Sequence, residues 1–197
     1  MTLRHIVGRM KKTAFLLALI LLSAVPTFAQ SSEFGVLVGA TRRVIGDDDT
    51  LGGAALDDKF ELSNTSIELF YAFELDRGTY FKIKAGRLEA PVAFGIGPDD
   101  DRARVDAEGE IQHVDGVVEY RFNEPYGSTG FFVGAGLYRQ KADTFDTETD
   151  FGFSGGINAD FPLSSRYGVI TEAAFHWTSF EFNPRYVTVS AGLRMKF

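Results

Sequence analysis

The chain has no cysteine in its 197 residues, which excludes disulfides, thiolate metal sites, catalytic thiols and lipid attachment to an N-terminal cysteine. Proline is scarce, with 6 residues, and tryptophan occurs once. Long apolar runs are nearly absent as well. The only one, Ala14 to Leu22, falls short of the ~20 residues a spanning helix needs, so a helical membrane protein is excluded. Positive charge is in deficit, with 20 Lys and Arg against 27 Asp and Glu and a net charge of −7. Nucleic acid is therefore not an expected partner. Two residue types stand out by abundance, Phe (19) and Gly (21).

Residues Met1 to Ala29 have the three parts of a secretory leader: a basic start, an apolar run, and a breaker before a small residue in Pro26-Thr27-Phe28-Ala29. Cleavage after Ala29 is expected, giving a signal peptide over 1–29 and one domain over 30–197. Arg4, Arg9, Lys11 and Lys12 leave with the leader and no acid does, so the net charge moves from −7 to −11. Export leaves the periplasm, the outside and the outer membrane as destinations.

From Glu33 onward the polarity has period two, the mark of strands with one apolar and one polar face. It is clearest at the end, where Val187, Val189, Ala191, Leu193, Met195 and Phe197 alternate with Thr188, Ser190, Gly192, Arg194 and Lys196. Seven earlier segments fit the same template: Glu33 to Arg42, Thr65 to Leu75, Phe81 to Ala85, Ile111 to Phe122, Gly130 to Gln140, Asp150 to Phe161 and Tyr167 to Trp177. Such segments, about ten residues long, can cross a bilayer when tilted. The expected connections alternate in length. Val44 to Asn64, Glu89 to Glu110, Lys141 to Thr149 and Thr178 to Pro184 are long or acidic, whereas Asp76 to Gly78, Asn123 to Thr129 and Pro162 to Arg166 are short turns. Short inner turns and longer outer loops are the pattern of outer-membrane barrels.

The charges of the polar face nearly balance: Glu68, Glu74, Asp115, Glu119, Asp160 and Glu172 against Lys82, Lys84, Arg121, Arg194 and Lys196. A soluble core would leave them in water with no need of balance. In a closed eight-stranded barrel they point inward, where side chains just fill the space and buried charge must be paired. Gly134, Gly136, Gly152, Gly156 and Gly192 share that inward phase and are expected to make room for long Lys and Arg side chains. Aromatics near strand ends, among them Phe73, Phe81, Phe122, Phe131, Phe161, Tyr167, Trp177 and Phe197, suit girdles at the membrane interfaces. The expected fold is all-β, an eight-stranded antiparallel up-and-down transmembrane β-barrel.

The segment Tyr186-Val-Thr-Val-Ser-Ala-Gly-Leu-Arg-Met-Lys-Phe197 resembles the C-terminal recognition strand of outer-membrane barrels. Residues 33 to 197 as a whole are similar to the OmpA/OmpX-like, opacity-protein-like eight-stranded barrels. The resemblance implies a place in the bacterial outer membrane, contact with its lipid and lipopolysaccharide, and handling by periplasmic chaperones and the barrel assembly machinery. It also implies that Tyr186, Gly192, Leu193, Met195 and Phe197 form the assembly signal. No peptidoglycan-binding domain is expected after the barrel, and a closed barrel, having no obligatory interface, is expected to be a monomer.

Three functional classes follow. The first is a non-enzymatic structural and surface-interaction protein with a lumen filled by the network Glu68, Lys82, Lys84, Glu119, Arg121, Glu172 and Arg194, acidic outer loops, and no cofactor, metal or catalytic residue. The acidic runs Asp47-Asp48-Asp49, Asp57-Asp58 and Asp99-Asp100-Asp101 suit hard cations but lack the spacing of a calcium loop, so a solvated acidic rim is expected. The second class is an outer-membrane lipid A deacylase, which sets a His and a Ser two residues later near a strand end. Here His176 precedes Thr178 instead, with Ser179 adjacent, and the alternation turns His176 inward. The third is a soluble periplasmic lipocalin-like binder, which would bury the apolar face in a dry core.

Overall fold

The computed structural model describes residues 31–44, 64–96, 103–143, 145–180 and 185–197. Eight strands follow one another: β1 (Ser32–Val44), β2 (Thr65–Asp76), β3 (Thr79–Ile96), β4 (Ala103–Glu124), β5 (Gly127–Ala142), β6 (Phe145–Pro162), β7 (Tyr167–Thr178) and β8 (Arg185–Lys196). Each pairs with its sequence neighbours, and β8 pairs back onto β1 to close the barrel. The closing seam is antiparallel and long, running from Glu33 opposite Lys196 to Val44 opposite Arg185. Closure leaves no unpaired edge, which a hydrocarbon surrounding would not tolerate. The expected leader, Met1 to Ala29, and the Asp47, Asp57 and Asp99 acidic runs lie outside the described residues.

Strand order sets the two ends. The two-residue turns Arg77-Gly78 and Pro125-Tyr126, the turn 163–166 and both ends of the described chain share one end, here termed the turn end. Gly78 takes φ 80°, the left-handed region open to glycine. Its carbonyl accepts the Arg121 N–H at 2.7 Å, which ties the first turn to β4. At the turn 163–166, the Ser164 hydroxyl oxygen accepts the Tyr167 N–H at 3.0 Å and the Arg166 N–H at 3.3 Å.

The alternation sorts side chains as the period predicts. Val38, Ile67, Leu69, Val114, Val118, Val133, Leu137, Ile157, Val189 and Leu193 stand exposed around the outside of the wall. So continuous an apolar exterior suits lipid and not water. It also rules against the lipocalin-like alternative, whose apolar face would be the interior. Aromatic rings cluster towards the turn end, with Tyr120, Phe122 and Phe131 centroids 5.0 to 6.1 Å apart. Another group, Phe151, Phe153 and Trp177, stands at 5.1 and 6.4 Å.

Two expectations are corrected. The segments Glu89 to Glu110 and Lys141 to Thr149 were expected as loops, but β3 and β4 pair as far as Ile96 opposite Ala103, and β5 and β6 as far as Ala142 opposite Phe145. The physical reason is a reversal of polarity along the hairpin. Below it, Lys84 faces in and Ala85 out; above it, Leu88, Ala90 and Val92 are buried inside while Arg87 is exposed outside. Inside the loop end, Leu88, Ala90, Val92, Ile111, Tyr138, Ala142, Phe180 and Tyr186 form one apolar cluster. There the hairpins have the wet outside and dry inside of a soluble sheet. The second correction concerns glycine. A Cβ on Gly192 would lie 1.8 Å from the Val36 carbonyl oxygen, on Gly156 2.1 Å from that of Ala173, and on Gly152 2.5 Å from the Tyr138 ring. These glycines make room for neighbouring backbone and aromatic rings, not chiefly for Lys and Arg.

Candidate functional site

The interior of the barrel holds the chemistry, and β3 serves as a ruler along it. Inward-facing residues recur every second position, so Tyr80, Lys82, Lys84 and Leu88 mark successive heights from the turn end upward.

At the lowest level the Arg121 guanidinium lies over the Tyr80 ring, 3.9 Å from its centroid. It donates to Glu33 Oε2 at 2.8 Å and to Glu119. Arg194 pairs with Asp160, whose Oδ2 is also 3.9 Å from Arg121. Lys82 completes this level by pairing with Glu119 and lying 4.9 Å from the centroid of the Phe70 ring. Five strands, β1, β3, β4, β6 and β8, therefore contribute cations or acids to one connected group of charge-assisted bonds between buried ions.

One step higher, Lys84 bridges Glu68 at 2.8 Å and Glu172, joining β2, β3 and β7. His113 lies beside this bridge, with Nε2 3.8 Å from Glu68 and Nδ1 3.3 Å from Asp115. The Tyr138 hydroxyl donates to Asp115 at 2.8 Å and stands 3.0 Å from His176 Nδ1. The other nitrogen of His176 is 3.4 Å from the Thr188 hydroxyl. Stacking of His113 on Tyr138 (5.4 Å) and its edge contact with His176 (5.3 Å) pack the rings together.

Every residue of the expected lumen set, Glu68, Lys82, Lys84, Glu119, Arg121, Glu172 and Arg194, is buried inside the barrel. Glu74 and Lys196 of the wider polar face are only half buried, at the turn end. Glu33 and Arg43 are buried interior charges that the expected set left out. A signal for Glu33 was present: it shares the inward parity of Gly35 and Leu37. The interior also holds apolar groups absent from the expectation, Leu37 with Phe70, Ala72 and Ile170, and Val117 with Phe132 and Ala174.

His176 and Thr178 both face inward and are fully buried, and both ring nitrogens of His176 have neighbours in Tyr138 and Thr188. Both side chains thus lie on the face opposite the apolar outer wall. Among the described residues no group of three or more His, Asp or Glu is placed to hold a metal ion. Of the expected assembly-signal residues, Leu193 and Phe197 stand exposed on the outer wall and Met195 lies half buried there, whereas Gly192 and Tyr186 point inward.

A second polar group sits outside the wall where the polarity reverses. Arg87 pairs with Glu89 at 2.8 Å and Glu110 at 2.7 Å, and the Gln112 amide donates to Glu110 at 2.8 Å. The Thr65 hydroxyl donates to Glu89 at 2.6 Å and holds that carboxyl below its ordinary pKa. This belt marks where the apolar exterior ends.

The family model described as "Outer membrane protein beta-barrel domain" matches residues 15–197. No curated protein matches the chain. Among solved structures, the neisserial surface protein NspA superposes with a TM-score of 0.53 at 11% identity, over 85% of this chain and 96% of that one. Ail of Yersinia pestis, in complex with the heparin analogue sucrose octasulfate, gives 0.49 at 17% identity, over 85% and 98%. The N-terminal barrel of Pseudomonas aeruginosa OprF gives 0.48 at 11%, over 86% and 98%. At these identities the likeness concerns the fold.

Proposed function

Because the chain belongs to the outer-membrane protein β-barrel family and so resides in the bacterial outer membrane, we propose that it is a non-enzymatic structural and surface-interaction component of that membrane. Its lumen is closed by its own side chains, and its acidic outer loops face lipopolysaccharide. The observation that carries this reading is the pair of buried ionic groups, Lys82 with Glu119 and Arg121 and Lys84 with Glu68 and Glu172, beneath the apolar cluster around Leu88 and Tyr186. An eight-stranded barrel has little interior beyond what side chains fill, and here ion pairs interleaved with Phe70, Val117 and Phe132 fill the lower part and the cluster around Leu88 the upper. A water path would have to cross both. The network gives the barrel rigidity, and the loops carry any specificity.

The protein acts as a monomer, reaches the membrane through periplasmic chaperones and the barrel assembly machinery, and presents Tyr186, Gly192, Leu193, Met195 and Phe197 as its assembly signal. The test is planar-bilayer recording of the refolded protein. No stable conductance step is expected, and discrete steps reproducible between preparations would overturn the closed-lumen reading.

A further inference from the structure

We propose that Arg42 and Arg185, on the outer wall at the loop end of the closing seam, form a binding site for a phosphate of the lipid A in the outer leaflet. The inference rests on the chain's place in the outer membrane with its short turns towards the periplasm, which sets the loop end at the outer leaflet. The pairing of β7, β8 and β1 fixes the geometry. Trp177, Arg185 and Val44 stand side by side in one row, and Phe175, Val187 and Arg42 in the next. All six are in the outward phase of their strands. The two arginines are therefore diagonal neighbours on one face, about 7–8 Å apart at the backbone, close enough for both guanidinium groups to meet one phosphate.

Both arginines are exposed, and among the described residues neither guanidinium has a carboxylate partner. Arg87 differs in this respect, since Glu89 and Glu110 neutralise it. Glu89, two strands away from Arg42, is itself held by Arg87 and the Thr65 hydroxyl. The Arg185 guanidinium lies 5.9 Å from the centroid of the Trp177 ring, a contact that steadies the cation and leaves its N–H donors free. Two like charges side by side repel, and an anion between them removes that cost. Towards the turn end the wall continues as Phe175, Val38 and Val189, all exposed, along which acyl chains can lie. This division of polar and apolar contacts selects a lipid over a free anion. The paired cations select a phosphomonoester, which carries about two negative charges near neutral pH, over the singly charged diester of a phospholipid.

Trp177 is the only tryptophan of the chain, so its fluorescence reads the site directly. The assay titrates the refolded full barrel, in a neutral detergent, with bisphosphoryl lipid A. A saturable change in Trp177 emission is expected. Arg42→Gln, which leaves Arg185 beside the Trp177 ring, should weaken the apparent affinity several-fold, and Arg42→Gln/Arg185→Gln by about tenfold or more. The control Arg139→Gln, which removes an exposed outward arginine from β5, should bind like the parent. Heat-modifiable gel mobility certifies that each variant has folded. Absence of a saturable change, equal midpoints for lipid A and phosphatidylglycerol, a double variant that binds like the parent, a loss as large in Arg139→Gln, or displacement by excess inorganic phosphate would overturn the proposal. None of these outcomes bears on conductance, so the closed-lumen reading stands or falls separately.

Discussion

Lys84 and Leu88 lie on the same inward face of β3, yet Lys84 bridges two buried carboxylates and Leu88 belongs to an apolar cluster. The change between them marks the height at which the barrel turns from a membrane protein into a soluble one. Below it the wall is apolar outside, and ion pairs share the inside with Phe70, Val117 and Phe132. Above it water surrounds the wall, and the hydrophobic effect again drives burial inward. Replacing Leu88 by Asp should place an unpaired carboxylate in the dry cluster at a cost of ~2 kcal/mol or more. Limited proteolysis would read this as faster cleavage in the β3–β4 hairpin with the lower barrel intact. Unchanged cleavage would mean that the cluster does not hold the hairpins.

Lys84→Met should be among the most damaging single changes in the lumen, because it leaves Glu68 and Glu172 buried without their shared cation. Loss of one partner from a buried pair costs about 3–5 kcal/mol. The urea midpoint for loss of heat-modifiable mobility should fall accordingly. Adding Glu68→Gln and Glu172→Gln to that variant should restore much of the loss, since no buried charge is then orphaned. A triple variant weaker than the single one would show that the bridge itself, not the unpaired acids, was what mattered.

The Tyr138 hydroxyl links Asp115 to His176 across the lumen. Tyr138→Phe keeps the ring stacked on His113 but leaves two buried groups with one fewer partner, a loss of ~1–3 kcal/mol. The same urea titration measures it. A midpoint equal to that of the parent would place a water where the hydroxyl had been.

The strand faces were legible because period two is read residue by residue: Val187 to Phe197 alternates without a fault, and so strand number, closure and the inward charges followed. Two things were not legible. The extensions of β3 to β6 carry an alternation of the opposite sense, with Arg87 and Glu89 outside and Leu88 and Ala90 inside, so a search for apolar residues in the outward phase finds a loop there. The partners of each charge were hidden as well. Pairing of Lys84 with Glu172 crosses from β3 to β7 through the interior, and no spacing along the chain encodes a contact across a lumen. His176 illustrates the limit: its inward direction was readable, but its neighbours Tyr138 and Thr188 were not.

Gly192 lies in the closing seam, opposite Leu37 of β1 and Ile170 of β7, and a Cβ there would fall 1.8 Å from the Val36 carbonyl oxygen. The obstacle is backbone of the adjacent strand and cannot swing aside as a side-chain tip could. Gly192→Ala should therefore push β1 and β8 apart at the one pairing that links the two ends of the barrel sequence, a cost of ~1–3 kcal/mol from overpacking. Gly155→Ala supplies the comparison, since the nearest atom to its added Cβ is the Phe132 carbonyl oxygen at 3.5 Å, an ordinary contact. Refolding each variant into detergent and following the appearance of the heat-modifiable band should show Gly192→Ala closing more slowly or less completely, and Gly155→Ala closing like the parent. If both closed alike, the seam would have slack that the close approach denies, and the place of Gly192 in the expected assembly signal would need a cause other than barrel closure.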